Sequence, residues 1–100
     1  MTRIMHICDF AAPYPGAFIR QLRMLEDQLI ARGGMRSVLA FPARAANMSW
    51  LHDLALDGFD VVVLPECPAR GSANAEHAIR ALIESRQPTI VHTHLSLIHI

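Results

Sequence analysis

Apolar residues along this chain fall into short continuous runs, separated by stretches in which they recur every three or four positions. The first run, Ile4, Met5, Ile7 and Cys8, predicts a strand covered on both faces of a parallel sheet. Pro13, Pro15 and Gly16 then turn the chain, and Phe18, Leu22, Leu25 and Leu29 recur at helical spacing. Gly33 and Gly34 stop that helix, and residues 36–41 (RSVLAF) predict a second strand. A short helix over residues 47–56 follows, capped by Asn47 or Ser49, with Trp50, Leu51 and Leu54 on its apolar side and Gly58 after its end. Val61, Val62, Val63 and Leu64 predict a third strand, and Pro65, Pro68 and Gly71 a loop. Ser72 or Asn74 then caps a helix that turns Ala75, Ala78, Ile79, Leu82 and Ile83 inward. Pro88 closes it, and residues 89–92 open a fourth strand. The alternation β-α-β-α-β-α-β implies right-handed crossovers: an α/β fold in three layers, with a parallel sheet between helices.

Composition narrows the chemistry. Nine basic residues, all arginine, balance nine acidic ones, so the basic excess of a nucleic-acid-binding face is missing. Two cysteines are too few for a disulfide framework; Cys8 reads as a core residue, and Cys67, between Pro65 and Pro68, as the more accessible. No apolar stretch approaches a membrane span, and no basic region with a long apolar segment opens the chain. The expectation is a soluble, cytoplasmic protein.

The first helix begins without Ser, Thr, Asp or Asn at its cap and without a carboxylate in its first turn. Arg20 and Arg23 come early, and Glu26 and Asp27 late, against the helix dipole. Free amides beside arginines predict an anion site, with phosphate the usual guest. The other reading is a water-solvated helix end with both arginines on its wet face. A dinucleotide site is disfavoured, because residues 9–17 lack G-x-G-x-x-G and the second strand ends Phe41-Pro42 without an acidic ribose ligand. Asp9 lacks the companion acids of a receiver-like site, since the third strand runs Leu64-Pro65-Glu66. Trp50, His52 and Asp53 offer a sugar-sized cleft lining, but Trp50 reads first as packing.

His92 and His94 lie two apart, so on a strand both point to one side. Three readings stand. They chelate a metal, with His6 as a further ligand if the first strand is the immediate neighbour. They are a core histidine and a strand-end histidine. Or one faces a ligand as acid/base or phosphate partner. The last is preferred, with no metal assigned.

The segment HICDFAAPYPGAFIRQL, the helix end Arg32-Gly33-Gly34 and the strand TIVHTH resemble the N-terminal domain of family 4 glycosyltransferases over residues 1–94. The resemblance is strongest at the first strand and loop and at IVHTH, where the family commonly carries D-[IV]-[IV]-H-x-H. It implies a GT-B architecture of two Rossmann-like domains facing across a cleft, of which this chain holds part of the acceptor-side one. It also implies retaining sugar transfer without a metal or other cofactor, from a nucleotide-sugar donor to an acceptor such as a glycan, lipid or small molecule. By that resemblance Pro15, Gly16 and Ala17 lie close to the donor diphosphate, and His94 matches the catalytic histidine that reaches sugar and phosphate. Peripheral membrane contact of the parent protein is compatible with it. Two departures matter: Ala17 stands where the family often has a second glycine, and the domain with the paired glutamates is absent, so this polypeptide alone is expected to be inactive.

Residues 95–100, LSLIHI, match the translation in one frame of a transposase adapter used to build sequencing libraries. They read as a non-native tail, with His94 the last native residue, and the domain reads as truncated. The competing function class is a non-catalytic α/β module that binds a small anion or docks a partner.

Overall fold

The computed structural model describes residues 2–65 and 73–94. Four strands, β1 (Ile4–Cys8), β2 (Val38–Pro42), β3 (Asp60–Leu64) and β4 (Ile90–His94), alternate with helices α1 (Gly16–Ala31), α2 (Ser49–Leu56) and α3 (Ala73–Arg86). A 3-10 turn, Ala43–Ala45, follows β2. The strands form one all-parallel sheet in the order β3-β2-β1-β4. This is the expected Rossmann-like α/β fold in three layers.

Alternation along the strands divides the core. Cys8, Leu39 and Phe41 join Ile19 and Leu22 of α1 and Trp50, Leu51 and Leu54 of α2 on one face. Met5, Ile7, Val38, Ala40 and Leu64 meet Leu82 of α3 on the other, with Ala78, Ile79 and Ile83 packed alongside. One expectation changes. The buried stripe of α1 is Ile19, Leu22 and Glu26, while Leu25 is exposed. The helix is rotated because Glu26 turns inward to bond Ser37. The third strand lies at a sheet edge and leaves Val63 exposed. On the opposite edge, β4 exposes Ile90 and Val91.

Helix ends follow backbone chemistry more than side-chain caps. α1 stops in a Schellman arrangement: Gly33 N–H donates to Ile30 O at 3.0 Å and Gly34 N–H to Leu29 O at 2.9 Å. Gly33 takes φ +82°, and a Cβ on Gly34 would stand 2.4 Å from Leu29 Cδ1, so both glycines are needed. α2 ends the same way, with Gly58 N–H bonded to Ala55 O and Phe59 N–H to Leu54 O. Its start departs from expectation: Met48 is the N-cap, and no side chain caps the helix. Ser72 and the side chain of Asn74 lie outside the described residues, as do Cys67 and residues 95–100. Gln87, just past α3, adopts φ +48° where glycine is usual. Gln87→Gly is therefore expected to raise unfolding stability by about 0.5–1 kcal/mol, by relieving the Cβ clash of the left-handed conformation. A urea titration showing no gain would remove that strain.

At the amino end of the sheet, the Asp60 carboxylate accepts from Arg86 Nε–H at 2.9 Å and Arg3 Nη2–H at 3.3 Å. Thr89 N–H donates to Arg3 O at 2.8 Å beside them. These contacts tie the starts of β1, β3 and β4 together. The carboxyl end is where the chemistry gathers.

Candidate functional site at the sheet switch point

The chain leaves β1 for β2 on one side and returns to β4 on the other, so the strand order reverses between β1 and β4. In open parallel sheets, the carboxyl ends of two such strands border the crevice that takes ligands. Here they carry Cys8 and His94, which are register partners. Asp9 N–H donates to His94 O at 3.0 Å, extending the ladder by one bond.

The side chains around this point come from several elements. His6 pairs in register with His92 on β4, and alternation brings His94 to the same face. His6 Nδ1 lies 3.0 Å from His94 Nε2, so one ring donates its proton and the other accepts. The ring centroids of His92 and His94 are 4.1 Å apart. His6 is buried, His94 half-buried and His92 exposed. Of the alternatives left open for His92 and His94, neither member of the pair is the fully buried one. That position belongs to His6, because β1 is central and β4 is an edge. Burial, then the neighbouring His94 and His92, lowers the His6 pKa from 6.5 to about 4. Burial, then His92, also lowers that of His94. Both rings are thus held toward the neutral form. Cys8 is buried beside them, and desolvation raises its thiol to about 12, which makes it an inert core residue.

Pro15, Gly16 and Ala17 are exposed at the start of α1, and Pro15 is its N-cap without a side-chain cap bond. Gly16 takes φ +57°, a left-handed conformation that a side chain disfavours, although space for a Cβ exists against Tyr14. Two residues on, the Phe18 ring packs edge-on against His94 with centroids 5.3 Å apart. The predicted loop and the predicted histidine therefore meet through Phe18. The preceding loop is anchored by Trp50, whose Nε1–H donates to Ala12 O at 2.8 Å. Trp50 also packs on Phe10 and Phe41, with centroids 5.2 and 5.1 Å away. It is packing, as preferred, while His52 and Asp53 are exposed.

The cations divide differently from expectation. Arg23 is held by Asp57 at the end of α2, away from the start of α1. Arg20 is exposed and makes no ion pair among the described residues. Arg44, in the turn after β2, brings its guanidinium to the carboxylate of Asp9 at 2.6 Å. That carboxylate is only 1% exposed. No sequence signal pointed to Arg44, because its partner lies across two strand ends. In comparisons with protein families, curated proteins and solved structures, nothing matched the chain. The fold and site define a class, a Rossmann-like α/β protein with a histidine-rich switch point. No helix among the described residues is long and apolar enough to cross a membrane.

Proposed function

We propose that this chain is the acceptor-side part of a retaining glycosyltransferase of the GT-B type, moving a sugar from a nucleotide-sugar donor to a glycan, lipid or small-molecule acceptor. The observation that carries this reading is the meeting of His94 with the uncapped amino end of α1 at the switch point. Departure of a nucleoside diphosphate builds negative charge on phosphate. Preorganised amides and cations stabilise that charge in the transition state. In this reading the backbone of Pro15, Gly16 and Ala17 approaches the diphosphate, and Arg20, one turn into α1, adds positive charge nearby. His94 reaches a sugar hydroxyl or phosphate oxygen as a neutral imidazole. His6 fixes its ring through the 3.0 Å contact. The nucleotide-sugar is substrate, no cofactor is needed, and the donor-binding half belongs to a further domain.

In the enzyme completed by that domain, His94→Ala is expected to lower kcat by about 10²-fold, the scale of losing a positioned acid/base or charge-stabilising group. Gly16→Val, which forces a β-branched residue to φ +57°, is expected to impair donor use. In the 100-residue chain, His92→Ala is expected to leave stability nearly unchanged, since the ring is exposed on the edge strand β4. Steady-state sugar transfer and thermal melts of the three variants test the reading. Near-wild-type turnover in a folded His94→Ala protein removes His94 from the mechanism.

A further inference from the structure

We propose that His6, His92 and His94 form a binding site for one divalent transition-metal ion, with Zn²⁺ the ion their donor set fits best. The inference does not rest on the sugar-transfer reading, and it competes with it: a bound ion replaces the His6–His94 contact by which that reading orients His94.

The three imidazoles converge because of strand pairing. In the parallel register His6 stands beside His92, and His94 follows two residues on, so three rings share one face of two adjacent strands. One ring nitrogen from each lies within 4.8 Å of the other two. Tetrahedral zinc with Zn–N bonds of about 2.0–2.1 Å requires its ligand nitrogens to be about 3.3 Å apart. The His6 and His94 nitrogens, at 3.0 Å, already lie close to that spacing. His92, exposed at the sheet edge, is the ring with room to swing the remaining distance. An all-imidazole set suits zinc, copper or nickel rather than magnesium or calcium, which prefer oxygen.

The competing account is a core histidine bonded to a neighbour. It explains His6 and His94 but not His92, which has no hydrogen bond among the described residues and still lies against both rings, 5.7 Å from His6 and 4.1 Å from His94 between centroids. Nor does packing explain a buried imidazole at position 6, since an aliphatic side chain there carries no polar group to desolvate. A metal uses all three lone pairs at once. Three protein nitrogens leave a fourth position for water or an incoming ligand, the pattern of an open site rather than a closed structural one.

The test uses the full chain, stripped with a chelator and titrated with Zn²⁺ by calorimetry and with Co²⁺ by visible absorption. One ion per chain is expected, with the intense visible bands of low-coordinate cobalt. His6→Gln, His92→Gln and His94→Gln are each expected to weaken binding by about tenfold or more. His52→Gln and His77→Gln are expected to bind as the parent chain does. Zn²⁺ is further expected to raise the melting temperature of the parent chain but not that of His92→Gln. Because His92 is exposed, that variant keeps the fold and keeps the test decisive even where His6→Gln does not fold. Absence of the cobalt bands, parent-like affinity in His92→Gln, or loss of binding in a control variant overturns the site. None of these readouts involves sugar transfer.

Discussion

Glu26→Ala is expected to lower the unfolding free energy by about 3 kcal/mol, because it removes a buried carboxylate on which two buried donors depend. The Glu26 side chain is 2% exposed, yet it sits on a helix face that otherwise carries Ile19 and Leu22. Its carboxylate accepts from Ser37 Oγ–H at 2.7 Å and from Ser37 N–H at 3.2 and 3.3 Å. The Arg36 guanidinium lies 3.6 Å away. Ser37 directly precedes β2 and is itself buried, so the carboxylate joins the last turns of α1 to the start of the next strand. Truncation to alanine strands a buried backbone N–H and a buried hydroxyl, each costing about 1–3 kcal/mol. Ser37→Ala deletes one donor and leaves an acceptor still bonded to the amide, so about 1 kcal/mol is expected. Urea unfolding of both single variants and the double variant measures the coupling. A Glu26→Ala loss below about 1 kcal/mol would show that water reaches Ser37 and that the clamp is weak.

Acidification of the chelator-treated protein from pH 7 to pH 4 is expected to remove about 3 kcal/mol of stability through His6 alone. The ring is 3% exposed, and its pKa is lowered from 6.5 to about 4, by burial first and then by His94 and His92. Above pH 6.5 the folded and unfolded chains both hold it neutral, and the full stability is present. Between 6.5 and 4 the unfolded state takes up the proton and the folded state does not, so stability falls with pH. The loss is complete once pH passes below the folded value. His94, lowered in the same direction, adds to the slope. His6→Leu is expected to flatten this window, and thermal melts of both proteins across it provide the measurement. A parent profile that stays flat from pH 7 to 4 would mean that His6 remains solvated in the folded chain.

Local chemistry determined much of this protein before any tertiary contact. The apolar run from Ile4 to Cys8 is strand β1, Gly33-Gly34 and Gly58 end their helices through backbone hydrogen bonds, and Leu82 and its neighbours face inward from α3. These signals are short-range: they depend on period, on left-handed backbone and on side-chain volume within a turn or two. The absent cap at α1 and the packing role of Trp50 were legible for the same reason.

What only the folded chain decided is long-range. No periodicity reveals whether β4 joins the sheet beside β1 or beyond β3, and that choice alone brings His6 to His92 and His94 across a sequence gap. The same placement makes β4 an edge, which exposes His92 and moves the buried histidine to β1. In the sequence Glu26 is only a late acid of the first helix; its inward turn depends on Ser37, whose amide donates to the carboxylate at the entry to β2. Arg44 met Asp9 only because β1 and β2 are neighbours whose carboxyl ends lie side by side. Residue types supplied the candidate chemistry; strand order decided which of them met, because pairing across a sheet is a contact between distant segments that neither segment encodes alone.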